Sequence, residues 1–368
     1  PKKIDTILPK NNFFLQNRKK IIIIFIIFIL AVVLVNSFFK IYQKGLLPLS
    51  DFNFFFSGTI KWLLLFGLTS ISAIIIFFEI NYLKKIFSLT ILLSIFEVFL
   101  SSLSMISRGM IFNTSAIIYG LYKYNKKTKK ILKLKNLIIY IILMFFFFYL
   151  SVLTVNYIRT NYFYVGKSVI ETIKDQEIDK KKLDIDKKFL EDSKKKKFNI
   201  IDSNNEFFYL IINRWVGIDS TLVVSQNKEM LNGKLFFLAL NEKAVKDEPT
   251  FYERTFFLEN INSYGINNPY ENVKGNTLTG IISFLFYSGS FIFLFIGMFA
   301  ICAFASLIEF IAYKASKSNL IFTCLIGQVI AFRYIHFGYL PKQSYLLFGS
   351  IILTLAILYL FLNKVMKN

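Results

Sequence analysis

The sequence predicts an all-α, polytopic membrane protein of about eight transmembrane helices with one large extracytoplasmic loop. Three observations lead there. Hydrophobic residues make up 55% of the chain and aromatics 18%, with a mean hydropathy of +0.53. They collect into several separate runs of about 20, long enough to cross a bilayer and more than a soluble domain would carry. Short basic segments recur between these runs, and one long polar stretch, 159–277, interrupts the series.

Residues 1–20 are polar and basic, closing on Arg18-Lys19-Lys20, and Ile21–Phe39 is the first span. This run reads as a span and not as a cleavable signal, because it is long enough and no small-residue cleavage site follows it. A loop with Gly45, Pro48 and Asp51 leads to span two, Ile60–Ile80. Span three (Ile86–Leu103) and span four (Gly109–Tyr122) are joined through Ser107-Arg108-Gly109, too short a link for a loop of any size. Seven lysines then crowd residues 122–136, and span five is Leu137–Ile158, so that residues 21–158 hold five spans. Residues 159–277 form the extracytoplasmic loop domain. Its lysine-rich part, 166–197, is expected to be a solvated helix or helical pair, and Phe207–Val224 is expected to lie on or re-enter the membrane. Residues 278–368 hold span six (Leu278–Phe304), span seven (Leu320–Phe337), span eight (Tyr345–Leu362) and a short tail.

With eight spans, the N-terminus, Lys84-Lys85, the 122–136 loop, Lys314 with Lys317, and the tail all share one side. The positive-inside rule makes that side the cytoplasm, so both termini are cytoplasmic. The net charge of +21 is read through this lysine distribution and calls for no nucleic-acid partner. Cys302 and Cys324 fall in apolar runs and read as packing residues, and one histidine allows no His-based metal constellation. No P-loop, dinucleotide fingerprint, zinc motif or Gly-x-Ser-x-Gly elbow occurs. No cofactor and no metal are expected.

The candidate chemistry rests on arginine. The chain uses 38 lysines and six arginines, yet five of the six (Arg108, Arg159, Arg214, Arg254 and Arg333) fall on the expected outer side. The guanidinium is a planar fork suited to bidentate phosphate or carboxylate binding, which lysine cannot copy. Ser107-Arg108-Gly109 interrupts a greasy run, where an arginine is costly unless it snorkels to the interface or lines a polar cavity. Arg214 is followed by Trp215, which suits either sugar stacking or interface anchoring, and by Asp219, which can pair with Arg214 or act as a base. His336 lies three residues after Arg333, on the same face if that stretch is helical, and is a second candidate base. Tyr287 and the small polar residues after it suit a cavity wall. Glu97, within span three, is expected to find Lys61 or Arg108 as its partner.

A polytopic chain with Ser107-Arg108-Gly109 entering a span, a single large outer loop with Arg214-Trp215-Val216-Gly217, and a later Gly-containing span pair resembles the oligosaccharide repeat-unit (O-antigen) polymerases. It is similar as well to the related O-antigen ligases. The resemblance covers about Ile60 to Leu362, through short motifs. It implies an enzyme of the bacterial inner membrane, a glycosyltransferase that polymerises undecaprenyl pyrophosphate-linked repeat units into surface polysaccharide. Ser107, Arg108 and Arg214 would handle the lipid pyrophosphate, and Arg333, Trp215 and Tyr287 would help to bind substrate. Asp219 or His336 would take the acceptor proton. Membrane lipids and a chain-length regulator protein are the implied partners. Two features depart from the family: it commonly has ten or more spans, and the ligases' outer-loop histidine has no match within 159–277. The second departure favours polymerase over ligase. A transporter or flippase of an anionic or lipid-linked substrate is the reading from another class.

Overall fold

Long uninterrupted apolar runs can satisfy their backbone groups in lipid only as helices, and the chain is helical accordingly. The computed structural model describes residues 12–44, 52–83, 89–128, 134–158, 218–242, 250–257, 279–336 and 341–367. The stretch 166–197, most of Phe207–Val224, and Arg159, Arg214 and Trp215 lie outside them. Among the described residues no strand occurs. Helix α1 is Asn12–Phe39, and α2 (Phe54–Trp62) passes through a π-wound turn, Leu63–Gly67, into α3 (Leu68–Leu83). Next come α4 (Leu89–Ser104), α5 (Ile111–Thr128) and α6 (Leu134–Ile158). The described part of the long polar stretch contributes α7 (Ile218–Gln226) and α8 (Gly233–Leu240). A π-wound turn, Glu253–Phe257, is followed by α9 (Gly280–Phe286), α10 (Phe291–Ala315), α11 (Leu320–Ile330) with a further π-wound turn, Ala331–His336, and α12 (Ser344–Lys367).

Among the described residues five helical stretches are long and apolar enough to cross a membrane: Gln16–Phe39, Phe54–Tyr82, Lys135–Ile158, Phe291–Ala315 and Pro341–Asn363. Leu89–Ser104 and Leu320–His336 are shorter apolar helices. The most apolar stretch of Phe54–Tyr82 is 89% buried and that of Phe291–Ala315 not at all, so the first is the hub and the second turns its side chains outward. Phe291, Ile292, Phe295 and Phe299 are each at least 70% exposed, a face that only a lipid environment accommodates without aggregation.

Polar contacts pin the two ends. At the first end Arg18 Nε meets Glu79 Oε1 at 2.7 Å, Thr90 Oγ1 donates to Glu79 Oε2 at 2.5 Å, and Tyr124 Oη donates to Asn81 Oδ1 at 2.6 Å. The start of α1, the end of α3, the start of α4 and the end of α5 therefore meet there. At the second end Asn36, near the end of α1, donates to Ser104 Oγ at 2.8 Å, at the end of α4. Trp62 Nε1 donates to Thr354 Oγ1 at 2.9 Å and holds α12 to the hub.

Several expected boundaries shift. Helix α1 begins before the apolar run and includes Arg18-Lys19-Lys20, and α5 carries on through the first lysines of 122–136 to Thr128. Span six is not one helix. It stops at Phe286, turns at Gly289 (φ +72°), and restarts where Ser290 Oγ accepts from Phe293 N, running on to Ala315. Glu97 pairs with neither Lys61 nor Arg108; hydroxyls of Thr69 and Ser101 donate to it instead.

Helices α5 and α11 pack closest at Gly120, where a Cβ would lie 2.6 Å from the Ile321 Cα. Backbone cannot yield there as a side-chain tip can. Gly120→Ala should therefore destabilise the detergent-solubilised protein by about 1–3 kcal/mol, with a larger loss for valine. Gly58→Ala, with nothing within 4 Å of its Cβ, should leave thermal unfolding unchanged or slightly raised.

Candidate functional site

At the second end the link between α4 and α5 is a tight break rather than a loop. Ile106 N donates to Leu103 O at 3.1 Å and Ser107 N to Ser102 O at 2.9 Å, the paired bonds of a Schellman helix stop. That stop needs a left-handed residue, and Ile106 occupies it with φ +52°. A β-branched side chain in this region is strained by roughly 1–3 kcal/mol, and such strain persists only where the surroundings over-determine it. Here they do: Lys44 N donates to Met105 O at 2.9 Å, and Asn36 bonds the Ser104 carbonyl, the Ser104 hydroxyl and both backbone groups of Tyr42.

Two of the three π-wound turns among the described residues, Leu63–Gly67 and Ala331–His336, converge on the break. Within the first of them lies Leu65, whose carbonyl accepts from side chains of two other segments. Asn113 Nδ2 donates to it at 2.8 Å and an Arg333 terminal nitrogen at 2.9 Å. The same Arg333 nitrogen reaches Met110 Sδ at 3.4 Å. Arg333 is buried, whereas Arg108 is half-buried. At Gly109 a Cβ would lie 2.8 Å from the Phe332 ring, so glycine is what admits Phe332 beside the break. Phe332 packs on Phe112 at 4.3 Å between centroids and on His336 at 5.9 Å. Because residues 331–336 are π-wound, Arg333 and His336 do not superpose as a three-residue helical spacing would. Arg333 points into the bundle, and His336 stacks on Phe332.

Lys61 Nζ stands 4.8 Å from the Tyr42 ring centroid. Burial pushes the Tyr42 hydroxyl above its ordinary value, and the positive charge of Arg333 works against that shift. Lys61 and Arg333 thus both act on Tyr42, and Arg108 belongs to the break that Arg333 reaches at Met110. Ser107 is buried beside it, its hydroxyl without a hydrogen-bond partner.

A helical cap covers this end. Ser220 Oγ donates to Thr279 O at 2.7 Å, and Thr221 and Ser283 hydroxyls lie 3.0 Å apart. Gly280 (φ +74°) brings α9 so close that a Cβ would sit 2.6 Å from the His336 carbonyl oxygen. Asp219 lies in the first turn of α7, one residue before Ser220, so the cap carries it toward the same end as His336. Val224, Phe236, Tyr252, Phe256 and Leu285 form the cap's core with Tyr287. Tyr287 is 2% exposed and rings with Phe256 at 5.1 Å and Phe284 at 5.6 Å, so it is a core residue and not a cavity wall. Burial raises its hydroxyl, with the Thr279 hydrogen bond opposing.

Between α1, α4 and α6 runs an apolar groove of about 390 Å³, lined by Ile26, Leu92, Ile95, Phe96, Leu143 and Phe147 among others. A second, far smaller cavity shares Ile95 and Phe147 and reaches Ser102 and Thr114, beside the break. Of the sequence-selected residues, Ser107, Arg108, Arg333 and His336 come together. Tyr287 does not join them, and Arg214 and Trp215 lie outside the described residues. Asn36, Tyr42 and Asn113 are the residues that sequence reasoning missed, and Lys61 was considered only as a partner for Glu97. Asn36 and Asn113 were detectable as polar residues in apolar helices. No family model, curated protein or solved structure matches this chain.

The cap supplies a pH test. Glu242 Oε1 accepts from Phe251 N at 2.6 Å, and burial raises its carboxyl while Arg254 opposes the shift. Its folded value lies above its unfolded value, so its contribution is complete below the usual carboxylate range of about 4.3. It is lost as pH rises through the folded value. Glu242→Gln keeps the acceptor and removes the titration. Thermal unfolding from about pH 4 upward should therefore move in favour of the variant relative to the parent.

Proposed function

We propose that the protein is an integral-membrane glycosyltransferase of the inner bacterial membrane, polymerising undecaprenyl pyrophosphate-linked oligosaccharide repeat units into surface polysaccharide. The observation that carries the reading is the cationic region of Lys61, Arg108 and Arg333 at a broken helix, at one end of an apolar bundle and beneath a helical cap. In this reading eight helices cross the membrane, both termini are cytoplasmic, and the cap belongs to the extracytoplasmic loop. Arg108, half-buried, would grip the pyrophosphate, with Ser107 donating beside it and Arg214 closing from the loop. Arg333 would hold the site's shape and add its charge from within the bundle.

The acceptor sugar's hydroxyl attacks the anomeric carbon of the donor glycan. The bond from that carbon to the pyrophosphate oxygen breaks, and polyprenyl pyrophosphate leaves with the charge. Guanidinium groups stabilise that charge as it develops, and the reaction calls for no metal or cofactor. Asp219 or His336 takes the hydroxyl proton. The groove between α1, α4 and α6 suits a hydrocarbon tail. Partners are then the lipid-linked substrate, membrane lipids and a chain-length regulator, with no nucleic acid.

A second reading, a transporter or flippase of an anionic or lipid-linked substrate, draws support from the buried polar residues Glu97, Thr69 and Asn113 inside the bundle. One assay separates the two. Purified protein given only the lipid-linked repeat unit should lengthen the glycan without nucleotide sugar or divalent ion. Arg108→Lys keeps the charge but loses the fork, and should lower the rate about ten- to hundredfold while the protein accumulates normally. Arg254→Lys, at an exposed site, should be nearly silent. No elongation by the parent, or equal tolerance of lysine at both positions, would overturn the polymerase.

A further inference from the structure

Inside the bundle stands a carboxyl with no basic partner among the described residues. Glu97 is fully buried; its Oε1 accepts from Ser101 Oγ at 2.9 Å and its Oε2 from Thr69 Oγ1 at 3.1 Å. The other buried carboxylate among the described residues, Glu79, has Arg18 at the first end of the bundle. Arg333 donates to Leu65 O and Met110 Sδ, and α5 offers Asn113, whose Nδ2 lies 3.4 Å from Thr69 Oγ1. A carboxyl in so dry a place, served only by neutral hydroxyls, needs a proton or a compensating cation.

The surroundings of Glu97 are built of oxygen. Ser94, Glu97 and Ser101 share one face of α4 by their spacing of three and four, and Thr69 and Ser72 share one face of α3. The two helices are antiparallel, and the Thr69–Glu97 hydrogen bond sets their register. Three residues onward in α3 and three back in α4 bring Ser72 opposite Ser94. Ser72 is 0% exposed and Ser94 1%, and neither hydroxyl has a hydrogen-bond partner. Buried hydroxyls are ordinarily bonded, so two orphans at opposed register positions one turn from a lone carboxyl call for a common explanation.

We propose that Glu97, Thr69, Ser72, Ser94 and Ser101 form a site for one hard monovalent cation of the sodium class, buried between α3 and α4. The charge selects the valence: one carboxylate balances one positive charge, and a divalent ion would leave the interior charged. The ligands select the class, because an all-oxygen set suits hard cations and not thiolate- or imidazole-seeking metals. A proton would neutralise Glu97 yet leave Ser72 and Ser94 unserved, whereas a cation engages both. Thr69 is also approached by Asn113, which holds the Leu65 carbonyl together with Arg333. Occupancy of the site therefore bears on the packing beneath the cationic region. The inference is independent of the proposed polymerase activity.

The test titrates sodium chloride against the purified full-length chain in detergent, with ionic strength held by choline chloride, and reads thermal unfolding. The parent should gain stability saturably with sodium and not with choline. Ser72→Ala and Ser94→Ala should each raise the half-saturating concentration about tenfold, and Glu97→Gln should abolish the response. Equal unfolding temperatures in sodium and choline overturn the proposal. So does an unshifted half-saturation in both serine variants. Stability that follows pH alone and is lost in Glu97→Gln identifies a proton in place of the cation, and overturns it as well. If Glu97→Gln fails to accumulate, the serine variants decide the matter, since each removes an oxygen that bonds nothing within the protein.

Discussion

The second end of the bundle depends on one carbonyl. The Leu65 oxygen lies in a π-wound turn of the most buried helix, and it serves donors from outside that helix. It takes two, from Asn113 in α5 and Arg333 beyond α11. Three segments far apart in sequence are thereby fixed to one atom, with geometry that helix packing alone would leave free to slide. An arginine used in this way brings its charge into the bundle interior, where the surroundings strengthen its field. The positive charge that Arg333 adds near the break is in this sense tied to the Leu65 carbonyl it serves.

Around that anchor the chain tolerates local costs. Ile106 adopts a left-handed conformation that glycine would adopt freely, and Gly109 gives up a side chain so that Phe332 can approach. Neither choice improves the stability of an isolated helix. Together they let the chain reverse between α4 and α5 within Met105–Met110, leaving Arg108 half-buried rather than on a solvated loop. A longer loop would have relieved the strain and let the guanidinium escape to water.

Much of the architecture was legible because lipid leaves few alternatives. Long apolar runs must be helices, and the runs at Ile21, Leu137 and Tyr345 became α1, α6 and α12 with small shifts at their ends. The break at Ser107-Arg108-Gly109 was legible for the same reason, since an arginine amid apolar residues announces itself. The π-wound turns were not, because nothing local in Leu63–Gly67 or Ala331–His336 demands an i to i+5 pattern; tertiary contacts impose it. Tyr287-Ser288-Gly289-Ser290 carried a real turn signal, but the turn buries Tyr287 in the cap instead of lining a cavity. Glu97 was recognised as needing a partner, yet the serines and threonine that serve it look like ordinary helix residues until α3 and α4 are set side by side.

The phosphate-binding role proposed for the Arg108 end is tested most directly by a photoreactive polyprenyl pyrophosphate added to the purified protein, with the cross-linked peptides mapped. Labelling on Ser104–Met110 and on Ala331–His336, reduced in Arg108→Gln and competed by unlabelled polyprenyl pyrophosphate, is the expected result. Labelling confined to the Arg18 end of the bundle, or unchanged in Arg108→Gln, would contradict it.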